Sequence, residues 1–348
     1  MKSNVFGKLA FRKAKTLRPT VLFFLISALG IFLIWFLANL SQPDVENDFL
    51  AEIFEKRRYG EFQQYAQKTG AKVSYQVLKK KYPTNDAVAH DFAHVVGIVS
   101  FFQKGAAGIG VCDTAYNYGC YHGFIESFLT KDGVEAVGKI EKSCLKLGSV
   151  HSPSCLHGIG HGLMINSSYK LKQALSDCNL LAQEWRTYCW DGVFMERITG
   201  SMLSADKRGE LTQNLDQPCM TIAANYRQVC WRNQVALWYS YYGQNSQKVA
   251  SHCLKIDSKF WQTCSETIGL LTVIHNGETR ETIVDSCSFE NSQMKDYCLA
   301  GAIKELLFEG KSPELAKSLC SAVTLANSQT CNSLFETHFA EYKTRFSR

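Results

Sequence analysis

The 348-residue chain lacks the short motifs that announce a chemistry. It has no Gly-rich phosphate loop, no G-x-S-x-G nucleophile turn, no H-E-x-x-H zinc helix and no C-x-x-C-H haem attachment. Acid is missing from residues 1–19, which carry Lys2, Lys8, Arg12, Lys13, Lys15 and Arg18. Charge of either sign is missing from Thr20 to Leu40. The formal net charge is +6, so the remainder after residue 19 sums to zero. That excludes a nucleic-acid surface, which concentrates positive charge on the folded part. No A-x-A site follows the apolar run, and its core exceeds the roughly 7–15 residues of a cleaved signal peptide.

What is present begins with that run. Residues 20–40 at about 1.5 Å per residue reach roughly 30 Å, the thickness of a bilayer's hydrocarbon core. Trp35 sits toward the far end, where an aromatic anchor belongs. The expectation is a signal anchor spanning the membrane at residues 20–40. Its basic tail, 1–19, lies in the cytoplasm, and residues 41–348 lie outside it (periplasmic, extracellular or lumenal). A charged stalk and entry helix follow at 41–75, then a disulfide-rich helical-repeat domain at 76–348. Fourteen cysteines agree with an oxidising compartment, where that many imply disulfides.

The cysteines keep a rhythm. They fall at 112 and 120, 144 and 155, 178 and 189, 219 and 230, 253 and 264, 287 and 298, and 320 and 331. After the first pair, both members are always eleven positions apart, and first members recur at 34, 41, 34, 34 and 33 residues. A period near 34 is that of a two-helix repeat. A short helical stretch such as Leu171–Asp177 precedes each first cysteine, and an apolar helix such as Phe124–Leu129 follows each second. Three positions after the second cysteine the residue is usually small, as at Gly123, Gly158, Gly192, Thr267 and Gly301, which lets helices approach closely. Gly200, Gly243, Gly277 and Gly310 are expected to close units.

The predicted fold is therefore all-α. It is an α-solenoid of about seven to eight two-helix repeats behind one transmembrane helix. Each repeat is stapled within itself: Cys112–Cys120, Cys144–Cys155, Cys178–Cys189, Cys219–Cys230, Cys253–Cys264, Cys287–Cys298 and Cys320–Cys331. Over residues 110–348 the architecture resembles the cysteine-rich Sel1-like and tetratricopeptide solenoids, although tetratricopeptide signature residues are not evident. The resemblance implies a concave surface and no particular activity.

A second pattern rides on the first repeats. His122 stands two residues after Cys120, with Glu126 four further; His157 stands two after Cys155, with His161 four further. His90 and His94 are again four apart, with Val88 at the place of the missing cysteine. Residues i and i+4 share a helix face, and neighbouring helices aim such pairs at one centre, as in metal-binding bundles. The candidate metal ligands are His90, His94, His122, Glu126, His157 and His161, with Asp191 an outer candidate. Glu126 and Glu196 are the catalytic candidates, as carboxylates free to move a proton. Imidazole with carboxylate suits zinc, iron or manganese. Gly158, Gly160 and Gly162 within one helix signal close backbone approach or room for a ligand. His151, His252, His275 and His338 read as surface or local contacts.

Two functions fit. One is a membrane-anchored metalloprotein, a metal-dependent hydrolase or oxidase. The other is a non-catalytic scaffold whose groove takes a protein, a peptide or an envelope component.

Overall fold

The computed structural model describes residues 45–84, 87–149, 151–203, 214–276, 279–308, 312–323 and 328–346. The expected signal anchor and basic tail lie outside the described residues. The described residues contain helices and turns and no strand. The chain divides at Arg58/Tyr59 into two units. The first contributes helix α1 (Val45–Glu55), after which Lys56 and Arg58 both pair with Glu52, at 2.7 and 3.1 Å.

The second unit opens with α2 (Tyr59–Thr69), α3 (Ala71–Lys81) and α4 (Ala87–Lys104). There follow α5 (Gly119–Asp132), α6 (Val137–Leu145), α7 (Ser152–Asn166), α8 (Leu171–Asp177) and α9 (Arg186–Leu203). Then come α10 (Arg227–Tyr241), α11 (Ser246–Cys253), α12 (Trp261–Asn276), α13 (Arg280–Ser286), α14 (Ser292–Phe308), α15 (Pro313–Leu319) and α16 (Ser328–Phe346). The long helices α4, α5, α7, α9, α10, α12, α14 and α16 pack in succession, each on the next. The short helices α6, α8, α11, α13 and α15 lie beside the long ones they precede. Side-chain caps start several of them: Asn245 accepts from the Lys248 N–H, Thr279 from that of Thr282, and Ser312 from that of Leu315.

All seven expected disulfides are present and no described cysteine is free. In five of the last six, the first cysteine lies at the end of a short helix or just after it, while Cys219 lies in a turn; in all six the second lies in the first turns of a long helix. The two Cα atoms stand 5.4 to 6.1 Å apart. Chain-entropy arguments put the stabilisation from a loop of this size at about 3 kcal/mol. The core between the helices is apolar and aromatic, with Phe92, Phe124, Ile125, Leu129, Trp231 and Trp238 almost fully buried. Gly243 ends α10 in a left-handed conformation (φ +61°), as expected. Gly200 does not end its helix: α9 runs through it to Leu203.

One further stretch, Val88–Val111, is long and apolar enough to cross a membrane by length and composition. It is not the N-terminal segment anticipated above. Its apolar residues Phe92, Ala93, Val96 and Val99 are covered by protein, with α4 packed against α2, α3 and α5. It also carries His90, Asp91 and His94. The core helix of a helical domain has this hydropathy because it is buried on most sides.

Candidate metal centre

The site is set by how closely the helices cross. A Cβ on Gly97 of α4 would lie 2.1 Å from the Cys120 carbonyl of α5, and one on Gly123 would lie 2.0 Å from that of His94. The arrangement recurs between α7 and α9, where Gly160 faces the Cys189 carbonyl and Gly192 that of His157, both at 2.0 Å. It recurs again between α12 and α14, with Gly269 against Cys298 and Gly301 against Glu266, both at 1.9 Å. The other two glycines of α7 face α5 instead: Gly158 meets Ile125 at 2.9 Å, and Gly162 meets Leu129 at 2.8 Å and Ile125 at 2.9 Å. All three glycines of α7 thus serve helix packing on its two sides.

These contacts correct the register read from sequence. His94, His157 and Glu266 each present a carbonyl to the glycine three residues after the next helix's cysteine. His94, not His90, is therefore the equivalent of His157, and Phe92 rather than Val88 stands at the cysteine's place. His90 lies one turn earlier.

His90, His94 and His122 come together, with one ligand nitrogen of each within 4.8 Å of the others. His90 Nδ1–H donates to the Tyr116 carbonyl (2.7 Å), leaving Nε2 with its lone pair turned to His94 Nε2 at 3.0 Å. The carbonyl is delivered by a left-handed turn, Tyr116, Asn117 and Tyr118 (φ +55°, +48° and +64°), a conformation costly for side-chain-bearing residues. Gly119 follows it, and a Cβ there would lie 2.5 Å from the His90 carbonyl and 3.2 Å from His90 Nδ1. The His122 ring is 5.4 Å from both others, and its buried Nε2 has no hydrogen-bond partner. Burial, and after it the neighbouring imidazoles, pushes His94 down to about 3 and His122 well below the ordinary histidine range. Both rings are thus neutral at pH 7 and offer lone pairs.

His157 and His161 of α7 form a separate pair, Nε2 to Nε2 at 2.9 Å. The His157 Nδ1 contacts Asp191 at 3.1 Å and the His161 Nδ1 contacts Glu196 at 2.9 Å, both carboxylates projecting from α9. Asp191 also accepts from the Asn233 amide (2.8 Å), and Glu196 from the Tyr169 hydroxyl (2.7 Å). Burial pushes the Asp191 carboxyl up, but the Arg232 charge, His157 and Asn233 outweigh it and hold it well below the carboxylate range. The His161 ring stacks on His122 at 4.3 Å, so the five imidazoles are contiguous. Glu126 lies outside the three-histidine group; burial first, and the Glu196 charge second, raises its carboxyl from the ordinary value.

Asp191 and Glu196 thus stand behind the imidazoles, on their Nδ1 atoms. Sequence reasoning missed Tyr169, Asn233 and the Tyr116 carbonyl. For Asn233 a signal existed, because it fills the position three after Cys230 where every other repeat but the last keeps a small residue. Of the remaining histidines, His252 bridges Asp216 (2.6 Å) and Tyr242 (3.0 Å), and His338 contacts Glu341 (3.2 Å). Comparison with protein-family models, with curated proteins and with solved structures gave no match to this chain.

Proposed function

We propose that the protein is a membrane-anchored, extracytoplasmic α-solenoid that holds a transition-metal ion on His90, His94 and His122 and uses it for hydrolysis. The observation that carries the reading is the convergence of those three imidazoles, one ligand nitrogen of each within 4.8 Å of the others, in a group whose His122 has a buried, unpartnered Nε2. Buried polar atoms are almost always paired, and an orphan among ligand-type groups marks the place of something that binds. Zinc suits three neutral imidazoles, and such a set keeps a coordination position open for water, whose pKa the metal lowers. Glu126, one turn along α5 from His122, is the proton carrier. Its carboxyl, raised by burial and by Glu196, fits acid–base work better than metal ligation. That proton carrier favours hydrolysis over oxidation. Residues 20–40 anchor the chain, with the N-terminus cytoplasmic.

The scaffold reading has one observation of its own. A groove of about 840 Å³ runs across the later helices, lined among others by Tyr188, Arg232, Glu266, Lys304 and Tyr342. Its mixed charge suits a peptide or a polar envelope component. Elemental analysis of the purified full-length chain separates the two. The metalloprotein reading expects stoichiometric metal, lost in His90→Ala/His94→Ala/His122→Ala. A wild-type chain that retains no transition metal after loading and dialysis leaves the scaffold.

A further inference from the structure

Beyond the three-histidine centre lies the pair on α7. A neutral imidazole carries one proton, on one of its two nitrogens. Ionised carboxylates only accept, so the contacts with Asp191 and Glu196 place both protons on Nδ1. Each Nε2 then presents a lone pair to the other, 2.9 Å away. Two lone pairs at that distance form no hydrogen bond and repel. A cation between them turns the repulsion into two bonds. The arrangement is the carboxylate–histidine–metal relay, in which an acceptor behind the ring fixes the tautomer and raises the basicity of the ligating nitrogen. Here it occurs twice on one helix face.

We propose that His157 and His161 form a second transition-metal position, oriented by Asp191 and Glu196, and that His122 lies between it and the first in a two-metal centre. The two-metal description rests on the reading of the first centre; the His157–His161 position does not. Three features support it. With metal–nitrogen bonds of about 2.0–2.1 Å, tetrahedral ligation needs the two nitrogens roughly 3.3 Å apart. The rings have only to part by a few tenths of an ångström. The orienting carboxylates are themselves held, Asp191 by Asn233 and Glu196 by Tyr169, so the second layer is built rather than incidental. His161 stacks directly on His122 at 4.3 Å, which makes the two positions neighbours. With only two protein nitrogens, the second metal would take its remaining ligands from water or substrate and bind more weakly than the first. Divalent zinc, copper or nickel, which favour imidazole, are the fitting ions.

A proton is the competing cation, and calorimetric titration of the purified, metal-stripped full-length chain with Zn²⁺ at pH 7.5 decides between them. Two equivalents are expected for the wild type, and one for His157→Gln/His161→Gln. Glu196→Gln, which leaves both imidazoles in place, should weaken only the second step, by about 10- to 100-fold. One equivalent in the wild type that disappears in His90→Gln/His94→Gln overturns the second position and leaves the first standing. Two equivalents retained in His157→Gln/His161→Gln also overturn the second. Loss confined to His157→Gln/His161→Gln, with His90→Gln/His94→Gln unchanged, overturns the first and keeps the second. Helical circular dichroism and a count of seven intact disulfides by mass qualify each variant as folded.

Discussion

A single carboxylate shows how the N-terminal helices are tied to the first disulfide loop. Asp113 follows Cys112 and accepts from the Tyr75 hydroxyl (2.7 Å) and the Ala115 N–H (3.0 Å), while Lys79 closes an ion pair on its other oxygen. Burial pushes its carboxyl up, but the bonds from Lys79 and Tyr75 outweigh that and hold it below its ordinary value of 3.8. A carboxyl depressed in the folded state contributes stability above its unfolded pKa and loses it as the pH falls through the folded one. The contribution should therefore be whole at pH 6 and fade below about pH 4. Asp113 is a third exposed, so solvent screens the pair, and about 1 kcal/mol is the expected size. Urea unfolding of wild type and Asp113→Asn checks it. The midpoints should differ at pH 6 and converge toward pH 3; a gap that holds or widens on acidification contradicts the assignment.

At the level of the helix, the repeated crossing is what brings histidines on different helices within reach of one another. Gly160 has the Cys189 carbonyl 2.0 Å from where a Cβ would stand, with backbone on both sides and nothing flexible to yield. Gly160→Ala gains about 1 kcal/mol of helix propensity but must force α7 from α9, and overpacking of that kind costs roughly 1–3 kcal/mol or more. The net expectation is destabilisation, with the His157–Asp191 contact stretched. Gly138 of α6 has nothing within 4 Å, so Gly138→Ala should stabilise by about 0.5–1 kcal/mol. Opposite shifts of melting temperature in the two variants are the check, and a neutral Gly160→Ala would mean the helices are not so close. Glycines at the small position after the cysteine were legible in the sequence, as was the pairing of all fourteen cysteines, because a disulfide hairpin demands fixed spacing. The register of α4 was not. That helix carries no cysteine, and two histidines one turn apart each fit the ladder until backbone contact with Gly123 selected His94. Nor was the role of Asp191 and Glu196 legible, since nothing in a spacing distinguishes a carboxylate that binds a metal from one that orients the ring that does.

Across the whole molecule, the seven disulfides constrain where the chain can fold. Every repeat from Cys112 to Cys331 carries one, and none joins two repeats, so the staples reinforce each hairpin locally, while apolar packing and polar contacts such as His157–Asp191 and Lys304–Glu266 hold one repeat to the next. A reducing cytosol would leave the thiols free and withdraw about 3 kcal/mol from each of the six longer loops, a large fraction of any domain's net stability. The helical body is then expected to fold only outside the cytoplasm, the location proposed above from the basic tail and apolar run of residues 1–40. Thiol trapping tests this directly. Cells producing the full chain are quenched in acid, denatured and alkylated with a mass-tagged maleimide, with and without prior reduction. No tag is expected before reduction and fourteen after it. A chain lacking residues 1–40, and so held in the cytosol, should take up tags without reduction and retain no metal, because the hairpins that carry His122 and His157 lose their staples together. Full-length protein that labels stoichiometrically before reduction would place the body in a reducing compartment. The first centre, built largely on α4 with no disulfide of its own, would then have to form without the neighbours that bring His122 to it.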